Sequence, residues 1–185
     1  MTDALFSDGG EHIDFTRLVH IGGGVDLGTL HRQHFYAVRA SGSGFSLPFS
    51  VRPFTVMVDM TGSADDAVLR KYAAILTRHG CVQAICRGEE SHRMHRIFED
   101  LSETGELDRN GSAFTSMCME DEPREDVLRY FSLPCGLAKT KLILIIGGQD
   151  DYQAALNDFL NVSGLAGEIL DEEESLRAAA IEVGG

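Results

Sequence analysis

The stretch FTVMVDMTGSADD, residues 54–66, decides the fold class, because an apolar run ends there on an acid and turns into a segment of helical pattern. Residues 54–60 are almost all apolar, which is typical of a strand that a parallel sheet buries on both faces. Thr61, Gly62 and Ser63 are turn-forming residues, and apolar side chains at helical spacing follow them. The stretch therefore predicts one strand-turn-helix unit.

The same unit recurs along the rest of the chain. Further apolar runs of strand length are CVQAICR, AFTSMCM and KLILIIG, at residues 81–87, 113–119 and 141–147. Apolar stripes at helical spacing follow the runs, at Val68, Tyr72, Ile75 and Leu76, at Met94, Ile97, Phe98 and Leu101, at Val127, Leu128 and Phe131, and at Tyr152, Ala155, Leu156, Phe159 and Leu160. This alternation predicts a three-layer α/β sandwich with a mainly parallel sheet of four or five strands and helices on both faces.

The two ends of the chain differ from this central pattern. Residues 1–50 contain glycine-rich segments around a short mixed stretch, and we expect an N-terminal arm that packs on the domain or extends it. Residues 51–165 carry the α/β pattern. Residues 166–185 are acidic with weak periodicity, which favours a surface helix or a tail.

The charge balance excludes some partners. Acids outnumber bases 29 to 16, which gives a net charge of −13. A field of that sign repels phosphate backbones and anionic lipid headgroups. We therefore expect neither a nucleic acid nor a membrane as the partner.

The first residues and the cysteines favour a soluble cytoplasmic protein. The first 15 residues lack the basic and apolar regions of a signal peptide, and no apolar stretch approaches the roughly 20 residues that span a bilayer. Cys81, Cys86, Cys118 and Cys135 lie in or beside apolar runs, which favours reduced, buried thiols. Because Cys81 and Cys86 are five apart on one predicted strand, we expect them to point to opposite faces.

Acids follow each of the four predicted strands. Because the carboxyl ends of parallel strands meet at one edge of a sheet, we expect these acids to form a single acidic rim. Its members are Asp59, Glu89, Glu90, Glu120, Asp121, Glu122, Asp150 and Asp151. Clustered carboxylates are how a protein commonly assembles a Mg²⁺ site. Each of these acids also precedes a predicted helix, where helix capping alone would produce the same residues.

Residues 59–63, DMTGS, resemble the DxSxS metal-binding loop of von Willebrand A-type domains. That resemblance implies a cation-dependent binding domain in which Asp59, Thr61 and Ser63 are ligands of Mg²⁺. It covers five residues at the end of the first predicted strand, where such a loop belongs.

The same residues also resemble the DxTGT phosphorylated loop of P-type ATPases, within the haloacid dehalogenase-like superfamily. That resemblance implies that Asp59 is a nucleophile, that Lys139 or Lys141 neutralises charge, and that Asp150 or Asp151 completes a Mg²⁺ site. Two positions depart from the pattern of the phosphatases. The position two after the nucleophile holds threonine rather than a second acid, and IIGGQDD lacks an acid directly after its first glycine.

A wider resemblance covers residues 53–147. The segments PFTVMVDM, LTRHGCVQAICRGEE, MEDEPREDVLRYF and TKLILII occur in that order and resemble an uncharacterised family of small bacterial α/β proteins of unknown function. The resemblance implies a compact α/β domain with no assigned reaction. It also directs attention to the acid triplet before Pro123.

These observations lead to one main functional hypothesis and one alternative. We expect a non-catalytic binding or regulatory module that uses the acidic rim, or the exposed N-terminal arm, to engage a protein partner with a basic surface. The sequence does not predict an oligomeric state. The alternative is a Mg²⁺-dependent phosphoryl-transfer enzyme or a von Willebrand A-like binding domain. Its metal site would draw on Asp59, Thr61, Ser63, Glu120, Asp121, Asp150 and Asp151.

Overall fold

The structure, a computed structural model, describes residues 19–21, 24–30, 32–42, 44–104, 114–133 and 138–163. Within these ranges the chain has the α/β fold that its sequence predicts, with one mostly parallel sheet and four helices. The predicted acidic helix or tail at 166–185 lies outside the described residues. So do Cys135 and residues 1–18 of the predicted arm.

Seven strands form the sheet in the described part of the chain. They are β1 (Val19–Ile21), β2 (Gly24–Leu30), β3 (Gln33–Ala40), β4 (Phe54–Met60), β5 (Cys81–Arg87), β6 (Thr115–Met119) and β7 (Thr140–Ile146). The four strands predicted from apolar runs correspond to β4, β5, β6 and β7. The predicted bounds of β4 and β5 are confirmed to the residue.

The helices alternate with the last four strands. They are α1 (Asp66–Arg78), α2 (Ser91–Glu103), α3 (Arg124–Ser132) and α4, which covers residues 149–163. The predicted stripe of α3 is buried. In the predicted stripe of α2, Met94, Ile97 and Phe98 are buried, whereas Leu101 is partly buried. In α1 the buried face is rotated slightly from the predicted one. Tyr72 and Leu76 are buried as predicted, and Leu69 and Ala73 are buried in place of Val68 and Ile75.

The strand order in the sheet is β1-β2-β3-β7-β4-β5-β6. Strands β3, β7, β4, β5 and β6 run parallel, whereas β2 is antiparallel to both β1 and β3. The carboxyl ends of β4, β5, β6 and β7 therefore lie at one edge of the sheet, as the predicted acidic rim requires.

Two hydrophobic cores lie on opposite faces of the sheet. Side chains of α1 and α2 share one core with alternate residues of the central strands, among them Val56 and Val58. Side chains of α3 and α4 share the other core with the intervening residues, among them Met57. This division follows from the two-residue period of a strand, which sends successive side chains to opposite faces.

The expected four or five strands and the separate N-terminal arm are not confirmed. Within the predicted arm, β2 and β3 pair as antiparallel neighbours to form the β2–β3 hairpin, and β3 pairs in parallel with β7 from His34 to Ala40. The hairpin therefore belongs to the sheet. Its pattern is hard to recognise in the sequence because a β-bulge lies between Asp26 and Gly28 and interrupts the alternation.

The prediction that Cys81 and Cys86 face opposite ways is wrong. An irregularity between Phe54 and Thr55 shifts the pairing of β4 with β5 by one residue. A shift of one residue exchanges the faces of a strand. Both thiols consequently belong to the core under α1 and α2.

Among the described residues, no helix combines the length and the apolar character that crossing a bilayer needs.

Gly88 fixes how the loop after β5 crosses the end of β4. Its φ is +101°, and a Cβ at this position would overlap the main-chain carbonyl of Met60. We expect Gly88→Ala to lower the free energy of unfolding by about 3 kcal/mol or more, since backbone strain and a steric clash add. Gly42→Ala is the matched control, because Gly42 has a φ of +55° but nothing within 4 Å of the point that its Cβ would occupy.

The control should cost about 1 kcal/mol, which is the strain of a left-handed conformation alone. Urea unfolding followed by circular dichroism measures both variants. Equal losses for the two variants would show that the loop does not pack against Met60 as described.

Candidate functional site

Asp59, the central residue of the predicted site, is fully buried near the carboxyl end of β4, with a side-chain exposure of 0%. Its Oδ1 accepts a hydrogen bond of 2.6 Å from Nη1 of Arg87, which pairs with it from β5. Its Oδ2 accepts a second bond of 2.6 Å from Nε of Arg124, the first residue of α3. The carboxylate is thus held between two guanidinium groups.

The ion pairs extend from Asp59 to two further elements. Nη1 of Arg124 donates to Oδ2 of Asp158 on α4 at 2.9 Å. Nε of Arg87 donates to the main-chain oxygen of Glu122, in the loop between β6 and α3, at 3.1 Å. We call Asp59, Arg87, Arg124 and Asp158 the Asp59 network. It joins β4, β5, α3 and α4 at the carboxyl end of the sheet.

The Asp59 network favours the charged form of Arg124. Burial opposes the charge of Arg124, but hydrogen bonds to Asp158 and Asp59 and the charges of both carboxylates raise the pKa of its guanidinium above the ordinary value. Two positive and two negative groups therefore face each other in a partly buried cluster around the fully buried Asp59. A buried charge is tolerated only when it is paired in this way.

This geometry leaves Asp59 unsuited to the chemistry that the sequence suggested for it. A nucleophile must be reached by its substrate, and a metal ligand needs an oxygen lone pair that faces the ion. Both oxygens of Asp59 are already engaged, and the side chain is closed to solvent. Asp59 acts instead as the counter-ion of Arg87 and Arg124.

The loop residues Thr61 and Ser63 are exposed and bind other parts of the protein. The amide of Thr61 donates to the carbonyl of Ile146 at 3.1 Å, and Gly62 donates to the same oxygen at 2.8 Å. Ser63 Oγ donates to Oε2 of Glu90 at 3.2 Å. In open α/β sheets a ligand commonly enters where neighbouring connections diverge, here between β4 and β7. The two backbone hydrogen bonds join the loops across that crevice.

The remaining acids of the rim do not share one site. Asp151 accepts a bond of 2.8 Å from the amide of Gly148 and so caps the start of α4, whereas Asp150 is exposed. Oε1 of Glu120 lies 3.1 Å from Nδ1 of His92. Glu90 precedes α2 without capping it, and its carboxylate binds Arg93 at 2.6 Å. Capping therefore accounts for one of these acids and ion pairing for others.

The structure does not bring the seven predicted metal-site residues together. Across the described ranges there is no group of three or more His, Cys, Asp or Glu side chains that could hold a metal ion. Asp59 faces the α3–α4 side of the sheet, Thr61 and Ser63 lie on the β4–α1 loop, and the acids after β6 lie at the far side of β5.

A cavity lies where β6 meets α3. It has a volume of about 410 Å³. Its wall includes four carboxylates, a thioether and an aromatic ring, and we define this β6–α3 cavity by Glu120, Asp121, Glu122, Asp126, Met119 and Tyr130. Tyr130 is 39% exposed. Among the described residues, only Tyr130 and Val51 are large hydrophobic residues with an exposed side chain.

The carboxylates of the cavity differ in their internal partners. Glu120 pairs with His92, and Asp126 accepts a bond of 3.0 Å from Arg129. The side chains of Asp121 and Glu122 are exposed and make no hydrogen bond or ion pair with other described residues. Two negative charges thus face the cavity without compensation from the part of the chain that the structure describes.

Sequence reasoning missed several of these residues. Arg87 and Arg124 were not predicted as partners of Asp59, Asp158 was not predicted as a partner of Arg124, and Tyr130 was not assigned a role. The expectation of buried thiols holds for Cys81 and Cys86, where burial raises the pKa of Cys81 to about 12. It is wrong for Cys118, which is exposed and lines the β6–α3 cavity because β6 is the last strand in the order.

Comparison with known proteins identifies no relative. No family model, curated protein or solved structure matches the chain. The resemblances to the uncharacterised bacterial family and to the two magnesium-dependent loops stay predictions. Function has to be inferred from the geometry of the described residues.

The Asp59 network makes a direct prediction about stability. We expect Asp59→Ala to lower the free energy of unfolding by about 3–5 kcal/mol, because it leaves two guanidinium groups buried without their shared counter-ion. Asp150→Ala is the matched control. It removes an exposed carboxylate at the same end of the sheet and should change stability by about 0.5 kcal/mol or less. Urea unfolding of the two variants measures both values, and an Asp59→Ala variant as stable as its control would contradict this account.

Proposed function

We propose that the protein is a non-catalytic binding or regulatory module that recognises a basic segment of a partner protein at the β6–α3 cavity. One observation carries the proposal. Carboxylates without internal partners, those of Asp121 and Glu122, line a cavity of about 410 Å³ together with the exposed ring of Tyr130. This combination of negative charge and apolar wall fits the side chain of arginine or lysine.

The apolar and the acidic residues of the cavity would contact different parts of an arginine or lysine side chain. The alkyl stem of an arginine or lysine packs on apolar surface while its charged group stays with polar partners. Met119 and Tyr130 provide the apolar surface, and the tyrosine ring also attracts a cation over its face. Asp121 and Glu122 accept charge-assisted hydrogen bonds from the guanidinium or ammonium group.

The charge of the whole protein supports the same partner. A net charge of −13 attracts basic surfaces and speeds their encounter with the cavity. The phosphoryl-transfer and von Willebrand A-like alternatives would use Asp59 as nucleophile or ligand. Its engagement by Arg87 and Arg124 gives them no support.

We further infer that the domain is a three-layer α/β sandwich that acts in the cytoplasm. Two separate cores, one on each face of the sheet, support the three layers. The free thiols of Cys81 and Cys86 fit a reducing compartment.

Binding of labelled hexa-arginine, followed by fluorescence anisotropy at an ionic strength of about 0.15 M, tests the proposed function. We expect the double variant Asp121→Asn/Glu122→Gln to bind it at least about tenfold more weakly than the wild type, since both uncompensated carboxylates are removed. Hexaglutamate should not bind.

The matched control is Glu99→Gln/Glu103→Gln, which removes two charges from the end of α2 that points away from the acidic rim. It should bind hexa-arginine within about twofold of the wild type, because exposed charges beyond a Debye length are screened. Equal losses in the two double variants would show that only net charge attracts the peptide. Absence of binding to the wild type would contradict the proposal.

Tyr130→Ala tests the apolar wall separately. We expect it to weaken hexa-arginine binding by about two- to tenfold, because the cation then loses the ring face. Thermal unfolding should change little, since the ring is exposed in the free protein. Unchanged affinity would remove Tyr130 from the site.

A further inference from the structure

The Asp59 network contacts the loop between β6 and α3 that lines the β6–α3 cavity. Arg87 donates to the main-chain oxygen of Glu122, a cavity residue, and Arg124 follows Glu122 by two positions in the chain. The side chains of Arg87 and Arg124 are 18% and 16% exposed. Arg87 thus binds the main chain of the same loop that carries Asp121 and Glu122, whose carboxylates have no partner among the described residues.

Arg87 and Arg124 could compete with a cationic ligand for the carboxylates of Asp121 and Glu122. A guanidinium group that lacked its counter-ion would be attracted to free carboxylates nearby, and Asp121 and Glu122 lie on the loop whose main chain Arg87 already binds. Asp59 prevents this, because its two oxygens each bind one arginine at 2.6 Å on the inner side. Asp158 binds Arg124 at 2.9 Å and balances the second positive charge.

We propose that Asp59 is a positioning residue for cation binding. As the internal counter-ion of Arg87 and Arg124, it keeps both guanidinium groups from pairing with Asp121 and Glu122. The carboxylates of these two residues therefore stay available to a basic ligand. The inference rests on the proposed function, since it assigns a role in recognition to a residue that touches no ligand. It also gives the buried acid at the end of β4 a function other than metal binding or phosphoryl transfer.

The inference has a simple electrostatic consequence. Asp59→Asn keeps the shape of the side chain and removes one negative charge, which leaves one positive charge of the Asp59 network uncompensated. At a distance on the order of 10 Å and an effective dielectric constant of about 40, that charge weakens binding of a cation about three- to fivefold per ligand charge in the cavity. Migration of Arg87 toward the free carboxylates would add to this loss.

Hexa-arginine affinity in three variants tests the inference, with thermal unfolding recorded in parallel. We expect Asp59→Asn to bind about three- to tenfold more weakly than the wild type. Asp158→Asn, at a partly exposed position, should show a smaller loss of the same sign and supplies the test if Asp59→Asn does not fold. Asp59→Asn/Arg124→Gln restores the charge balance and should recover most of the affinity, even though it removes a second buried partner.

Recovery in the double variant separates an electrostatic role from a structural one, because a merely structural role would make the double variant worse than the single one. Wild-type affinity in both Asp59→Asn and Asp158→Asn, with a loss in Asp121→Asn/Glu122→Gln, would overturn this inference and leave the proposed function standing. A wild-type protein that does not bind hexa-arginine would overturn both.

Discussion

The carboxylate of Asp59, placed between the guanidinium groups of Arg87 and Arg124, is the interaction on which the carboxyl end of the sheet depends. A lone buried charge would cost several kcal/mol, so each member of the set requires the others. Because the members come from β4, β5, α3 and α4, their pairing fixes how two strands and two helices meet. The charges act there as a geometric constraint on the fold.

That constraint also determines what the acidic rim can do. Asp59, the most deeply buried of these acids, binds Arg87 and Arg124. Asp151 caps α4, and Glu120 and Glu90 pair with neighbouring side chains. The carboxylates of Asp121 and Glu122 are left facing a cavity that also presents Met119 and Tyr130. The sequence suggested that the acidic rim forms a single site for a hard cation such as Mg²⁺. In the structure several of its acids are engaged by other groups of the protein, and the β6–α3 cavity faces outward. Its chemistry suits an organic cation with an alkyl stem.

Much of the central fold could be predicted from the sequence because β4 to β7 are buried on both faces and appear as near-continuous apolar runs. The β2–β3 hairpin could not, since a bulge interrupts its alternation and glycines obscure its strands. The partners of Asp59 were harder to predict because a local irregularity also changes the pairing of β4 with β5. Aligning the apolar runs of β4 and β5 end to end would place Asp59 opposite Cys86, whereas the one-residue irregularity after Phe54 places it opposite Arg87. Arg124 and Asp158 come from 65 and 99 positions further along the chain, and only helix packing brings them to Asp59.

A double-mutant cycle between Asp59 and Arg87 tests the central claim most directly. The free energy of unfolding would be measured by urea titration for the wild type, Asp59→Asn, Arg87→Gln and the double variant. If Asp59 is the buried counter-ion of Arg87, each single change is costly, the double change costs much less than their sum, and the coupling energy is about 2 kcal/mol or more. Additive effects, with a coupling energy below about 0.5 kcal/mol, would show that the two charges do not depend on each other and would contradict the account.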